Sequence, residues 1–231
     1  RYGVPTFVLG GTDSLAGQTS LPGSDTVGFV QSFDNRHVGD LNKVLTPSGG
    51  VVDGNGGNNY SYTYNDYLYG TITPRAITVT AVAYEKVYDG TTRATDPGTD
   101  PERDGLPTYT VEILYEGEDA LLNSDDLFAD DSPSFYQQYA DKHVGSSKTT
   151  KSMGTVIDGN SGANYNYTYV FVPDGTVTVR SVTVTAVTDT REYDCTTDSD
   201  KDPDITLGAG YYDGSLYPNE NDLLGDDSHS F

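Results

Sequence analysis

Tryptophan is absent from this chain of 231 residues, cysteine and methionine occur once each, and 13 basic residues face 35 acidic ones. Each scarcity excludes something. A single cysteine, Cys195, cannot close a disulfide within the chain, and no Cys/His set has the spacing of a zinc site. With a net charge of −22, a phosphate backbone is excluded as a partner, because nucleic-acid binding neutralises phosphates with Lys and Arg. Anionic lipid surfaces are disfavoured for the same reason, and no apolar run is long enough to cross a membrane. Cations, basic partners and salty surroundings suit such a charge, which also keeps an exposed chain soluble. Long helices have little room either, since 26 Gly and 11 Pro interrupt nearly every window. Residues 117–123, with Ala120, Leu121 and Leu122, form the best helix candidate, at about one or two turns.

What the chain has is itself, repeated at a spacing of 105 residues. Asp53-Gly54-Asn55-Gly56-Gly57-Asn58-Asn59-Tyr60-Ser61-Tyr62-Thr63-Tyr64 returns as Asp158-Gly159-Asn160-Ser161-Gly162-Ala163-Asn164-Tyr165-Asn166-Tyr167-Thr168-Tyr169. In the same register Ile77-Thr78-Val79-Thr80 becomes Val182-Thr183-Val184-Thr185, and Tyr88-Asp89-Gly90-Thr91-Thr92 becomes Tyr193-Asp194-Cys195-Thr196-Thr197. Cys195 thus stands where Gly90 stood, a turn position rather than a reactive thiol. Gly3-Val4-Pro5-Thr6-Phe7 also resembles Gly105-Leu106-Pro107-Thr108-Tyr109, and residues 222–231 parallel residues 126–135. The register predicts the C-terminal part of one module at 1–74, a complete module at 75–180 and the N-terminal part of a third at 181–231. It also predicts a polypeptide that continues past both ends. Tandem modules of this size act as rods, spacers or arrays of binding heads.

Strands dominate the reading. Residues 176–187 alternate branched apolar residues with Thr, the period-two signature of a strand with one buried and one wet face. Tyr60, Tyr62 and Tyr64, and again Tyr165, Tyr167 and Tyr169, alternate in the same way. Gly, Asn, Asp and Pro clusters between these runs supply turns. The expected fold is all-β: tandem antiparallel, Ig-like β-sandwich modules arranged end to end, with one short helix per module. A curved sheet packed on a short helix is the competing architecture. The 19 tyrosines are expected to pack a sheet face or a module junction; stacking on glycans is the alternative use.

No catalytic grouping emerges. His37 and His143 occupy equivalent positions in consecutive modules, which reads as a turn residue before Val-Gly, and His229 has no partner pattern. Nothing proposes a nucleophile, a histidine and an orienting acid that converge. The expectation is a protein without enzymatic activity. The one suggestive cluster is Asp198, Asp200, Asp202 and Asp204. Alternate carboxylates in a loop can turn several oxygens towards calcium, which takes about six to eight. Pro203 stands where an EF-hand needs glycine, so a solvated acidic loop is the favoured reading and calcium the one candidate cofactor. Asn59-Tyr60-Ser61 and Asn166-Tyr167-Thr168 are glycosylation sequons in form, and equally describe tyrosine-rich strands.

Lys86-Val87-Tyr88-Asp89-Gly90-Thr91-Thr92 resembles the signature turn of the YDG and MBG repeat domains found in large bacterial surface proteins and adhesins. The order around it is also similar: Ile77-Thr78-Val79 before the turn, then Asp141-Lys142-His143-Val144-Gly145, Gly162-Ala163-Asn164-Tyr165 and Gly175-Thr176-Val177-Thr178. Cys195 in place of Gly90 and a long acidic segment before His143 depart from that pattern. The resemblance implies a secreted, extended, non-catalytic stalk or adhesive array on a cell surface, of the kind used in biofilms. The absence of disulfides fits a bacterial surface protein better than an animal one. Expected partners are neighbouring repeats of the same chain, other copies in a fibre and surface glycans. A glycan- or host-surface-binding module is the first alternative function, and accessory repeats of a secreted hydrolase the second.

Overall fold

Alternating runs punctuated by glycine turns give sheets, and sheets are what the computed structural model contains. It describes residues 3–94, 105–112, 127–128, 130–208, 210–212, 215–217, 223–224 and 227–228. All regular elements among these are β-strands, with no helix. None is therefore a helix long and apolar enough to cross a membrane. The expected helix at 117–123 falls outside the described residues. The chain divides into two compact units, Arg1–Pro74 and Arg75–Phe231.

The first unit is a three-stranded meander of β1 (Thr26–Phe33), β2 (Gly39–Val52) and β3 (Tyr67–Ile72). β1 and β2 pair without a break from Thr26 opposite Val52 to Phe33 opposite Leu45. Gly49 enters this ladder at φ 94°, where an added Cβ would lie 2.2 Å from the Gly28 carbonyl oxygen. Only glycine fits so close an approach.

In the second unit, β4 (Arg75–Thr80) is the central strand of a three-stranded sheet. It runs antiparallel to β6 (Thr108–Val111) and parallel to β9 (Tyr165–Val170). A four-stranded sheet follows the order β5 (Glu85–Val87), β10 (Val172–Thr178), β8 (Gly145–Ile157) and β7 (Ser132–Tyr139). β5 joins β10 in parallel; the other two pairs are antiparallel. Both sheets are therefore mixed, whereas alternation alone suggests antiparallel pairing throughout. Alternation reports which face a residue takes and is blind to strand direction. The long connection between β4 and β9 makes the parallel pair possible.

The apolar faces of the two sheets share one core. Ile77 and Val79 of β4, Val111 of β6 and Tyr165 of β9 meet Phe135 of β7 and Val156 of β8. Ile77 and Val79 are 1% and 0% exposed. Taking each of them out of water stabilises the fold by about 2 kcal/mol. Ser152 on β8 ties the layers together by donating its hydroxyl to the Val79 carbonyl at 2.9 Å. A smaller core gathers Ala94, Tyr139 and Val177 against Tyr84 and Tyr88.

Beyond β10 the pattern starts again. β11 (Val182–Thr185) pairs antiparallel with β12 (Asp204–Leu207), as β4 does with β6. The long alternating run at 176–187 is thus two strands, broken at residues 179–181. A short ribbon of β13 (Gly210–Tyr212) and β14 (Ser215–Tyr217) closes the described fold.

Candidate functional site

Three local devices recur in the register of the repeat. The first is the loop after β2 and β8. Asp158 is 1% exposed, and its Oδ1 accepts the backbone amides of Asn160 at 2.7 Å and Gly162 at 2.8 Å. Its Oδ2 accepts the amide of Asn164 at 2.9 Å. Burial opposes ionisation of Asp158, but these three amides outweigh it and hold the carboxyl below its usual range. Asp53 takes the amides of Asn55, Gly57 and Asn59 in the same positions, and the Gly57 amide leads in lowering its pKa. An Asn pair braces each loop, Asn160 to Asn164 at 2.9 Å and Asn55 to Asn59 at 3.0 Å.

The second device is the tyrosine ladder that follows. The Tyr167 hydroxyl donates to the Gly162 carbonyl and accepts from the Val156 amide, both at 2.9 Å. Tyr62 does the same between Gly57 and Val51. The Tyr169 and Tyr64 hydroxyls donate to the carbonyls of Gly154 and Gly49. Tyr167 and Tyr169 stack with centroids 6.0 Å apart, as do Tyr62 and Tyr64. Tyr165 and Tyr60 each donate to a carboxylate, Asp131 at 2.7 Å and Asp25 at 2.6 Å. That bond leads in pushing Tyr60 up to about 12, whereas burial leads in raising Tyr165. These hydroxyls are committed to the fold. The rings of Tyr165, Tyr167 and Tyr169 pack in the core of their unit, whereas Tyr64 is 44% exposed.

The third device is the turn at Tyr88. Lys86 reaches under it with Nζ donating to Asp89 Oδ1 at 2.7 Å and to the Thr91 carbonyl at 2.9 Å. Asp89 Oδ1 also accepts the amide and hydroxyl of Thr91. Burial lowers the Lys86 pKa, with the Asp89 bond and charge opposing. The ammonium lies 5.7 Å from the Tyr139 ring centroid. In the next copy Arg191 donates to Asp194 at 2.7 Å and to the Thr196 carbonyl at 2.8 Å. The residue between has left-handed backbone in both turns, Gly90 at φ 79° and Cys195 at φ 65°. Cys195 itself is exposed.

Residues that composition and motif reading passed over complete the picture. Gln137, 0% exposed, uses its side-chain amide as a piece of backbone. It accepts the Val82 amide at 2.9 Å and donates to the carbonyls of Val82 and Ala94 at 3.1 and 3.2 Å. The Tyr139 hydroxyl donates to the Tyr84 carbonyl at 2.6 Å. The only signal was period-two placement of Phe135, Gln137 and Tyr139 along β7. Glutamine is ordinarily a surface residue, which hides it.

The other candidates are scattered. The backbone amides of His37 and His143 bond the side chains of Asn35 and Asp141 two residues earlier, so both sit in side-chain-braced turns. Asp198, Asp200 and Asp202 lie in an exposed loop, and Asp204 begins β12. The Asp200 amide and the Ser199 hydroxyl bond Asp189, which also lies outside that quartet. Among the described residues no three His, Cys, Asp or Glu side chains are grouped to hold a metal ion.

Loop, ladder and turn, rebuilt at a fixed spacing, define an all-β tandem-repeat protein. Residues 73–170 match the YDG domain family. The chain carries a YDG-type domain over that span. Comparison with curated proteins and with solved structures found no match.

Proposed function

We propose that this chain is a structural and adhesive repeat segment of a long, secreted bacterial cell-surface or fibre protein. In that reading its modules follow one another as Ig-like sandwiches set end to end. The observation that carries the proposal is the rebuilding of one hydrogen-bond network at Asp53 and Asp158, at Tyr62 and Tyr167, and at Lys86 and Arg191. Each network satisfies backbone groups of its own module. A protein that keeps such scaffolding from copy to copy while its loops vary is maintaining a spacer. The net charge of −22 suits an extended solvated array, because like charges oppose collapse and association.

The test is protease shaving of intact cells of the source organism. Release of peptides from this chain without lysis is the expected result, together with an elongated scattering profile for the purified chain. Recovery solely from the cytosolic fraction, or a spherical profile, would overturn the reading.

A further inference from the structure

The hairpin between β1 and β2 buries a lysine against a carboxamide. Lys43 on β2 is 6% exposed, and its Nζ donates to Asn35 Oδ1 at 2.5 Å. Among the described residues no carboxylate pairs with this ammonium, and the neutral Asn35 oxygen is its polar partner. A buried charge without a counter-charge is costly, whereas an amide in its place would have no charge to desolvate.

The same hairpin of the YDG-type module makes a different pair. Lys148 there donates to the carboxylate of Asp141 at 2.5 Å, an ordinary ion pair. The backbone of the two turns agrees. His37 and His143 donate their amides to Oδ1 of Asn35 and of Asp141, and the amides of Asp34 and Ala140 bond Val44 and Thr149 across the hairpin. Two differences matter: Asn35 stands for Asp141, and Asp34 stands for Ala140.

Those two differences assemble the parts of an amide exchange. Asn35 Oδ1 receives the Lys43 ammonium and the His37 amide, the latter at 3.0 Å, and both draw electrons from its carbonyl carbon. Asn35 Nδ2 donates to Asp34 Oδ2 at 3.1 Å, which sets a carboxylate at the nitrogen that would leave. With a C=O bond of about 1.2 Å, Lys43 Nζ lies no farther than about 3.7 Å from Asn35 Cγ, near the reach of a reacting pair.

We propose that Lys43 and Asn35 join in an autocatalytic amide bond that staples the β1–β2 hairpin. Lys43 gives a proton to Asp34, and its freed Nζ attacks Asn35 Cγ. The Cγ–Nδ2 bond then breaks as Asp34 returns the proton to the departing nitrogen. Ammonia leaves and takes up the proton that the new amide sheds. An ammonium and a carboxamide thus become an amide and an ammonium ion, so atoms and charge balance without water, oxidant or cofactor. The product carries no buried charge and closes a ring across residues 35–43. In the second unit the ion pair persists instead. The Lys148 bond leads in holding the Asp141 carboxyl below its usual range, and an ionised carboxylate resists attack by an amine. This inference rests on the hairpin alone and holds whatever the location of the protein.

Intact-mass and tryptic analysis of the purified whole chain, folded and incubated at neutral pH, tests it. The chain should be lighter than its sequence by one ammonia. Trypsin should release residues 2–36 and 37–75 as one branched peptide joined through Asn35 and Lys43. Lys43→Arg keeps the charge, removes the primary amine and should restore the full mass with the circular dichroism unchanged. Asn35→Asp, which copies Asp141, should leave an unlinked ion pair. Asp34→Asn should slow linkage about a hundredfold, the worth of a positioned proton carrier. A chain of full mass that trypsin cuts after Lys43 would overturn the proposal. So would an ammonia loss that survives Lys43→Arg, as a cyclised asparagine elsewhere would give, or linkage undiminished by Asp34→Asn.

Discussion

Asp53 and Asp158, 105 positions apart, accept backbone amides from the residues two, four and six places further on, each with the same division between Oδ1 and Oδ2. One carboxylate thus replaces the ladder that a glycine-rich loop cannot form for itself. Asn at position 158 offers one oxygen and turns an NH2 towards an N–H. Asp158→Asn should therefore cost the second unit about 2 kcal/mol, the worth of bonds to a charged acceptor. Urea denaturation checks this, and an unchanged midpoint would refute it.

Acid should expose the same loops. The folded carboxyls of Asp53 and Asp158 titrate below the ordinary value of 3.8. Their contribution is therefore whole above that value and is lost as pH falls through the lower folded value. Thermal melts from pH 5 down to pH 2 should show Tm falling most steeply below about pH 4. Asp158→Asn should flatten that slope. An acid limb equally steep in the variant would place the sensitive group elsewhere.

Alkali acts on the tyrosines with the opposite sign. Tyr60, Tyr139, Tyr165, Tyr167 and Tyr169 all have pKa values raised above 10.0. Their hydroxyl bonds stabilise the fold fully below pH 10 and lose that effect as pH climbs towards the folded values. Tyrosinate absorbance should thus rise in two phases. The late phase should coincide with loss of the β-sheet dichroism. A single phase near pH 10 with the sheet signal intact would contradict the ladder.

The all-β fold, the turn at Tyr88 and the repeat itself were legible because each rests on local spacing. Period-two runs such as Ile77-Thr78-Val79-Thr80 state which side chains share a face, and glycines at positive φ mark where the chain reverses. Strand direction was not legible. That β4 lies parallel to β9 depends on a partner far along the chain, and no residue of β4 carries that information. Nor could Gln137 be read as a core residue, since its burial depends on Val82 and Ala94 meeting its amide. The acidic run from Asp198 to Asp204 reads as a donor set in one dimension, and which way its side chains turn is not written in the spacing; Asp204 begins β12, and among the described residues no three acidic, His or Cys side chains are grouped to hold a metal ion.

The paired turns predict which substitutions at Lys86 the module tolerates. Arg191 performs the same bonding in its own turn, so Lys86→Arg should keep stability within about 1 kcal/mol. Asp89→Ala should cost about 3 kcal/mol, since it strands a largely buried ammonium without its counter-charge. Guanidinium melts of the two variants separate the cases. Equal losses would mean that packing, not the ion pair, holds the turn.

Cys195 offers the sharpest test of the repeat as a physical statement. It stands in the place of Gly90 and keeps that backbone, φ 65° against 79°. A residue with a Cβ carries about 1–2 kcal/mol of strain there, whereas glycine carries none. Glycine also loses more chain entropy on folding, about 0.4–1 kcal/mol, which offsets part of the gain. Cys195→Gly should therefore stabilise its turn by about 0.5 kcal/mol. Gly90→Cys, which imports the strain into the buried Lys86 turn, should destabilise by about 1 kcal/mol. Hydrogen exchange of the Thr91 and Thr196 amides, both bonded to the turn carboxylate, reads each turn separately under reducing conditions. Protection should rise at Thr196 in the first variant and fall at Thr91 in the second. A fall at Thr196 on replacing Cys195 would show that the thiol contributes a contact worth more than the strain its backbone carries, and the equivalence of the two turns would end at that residue.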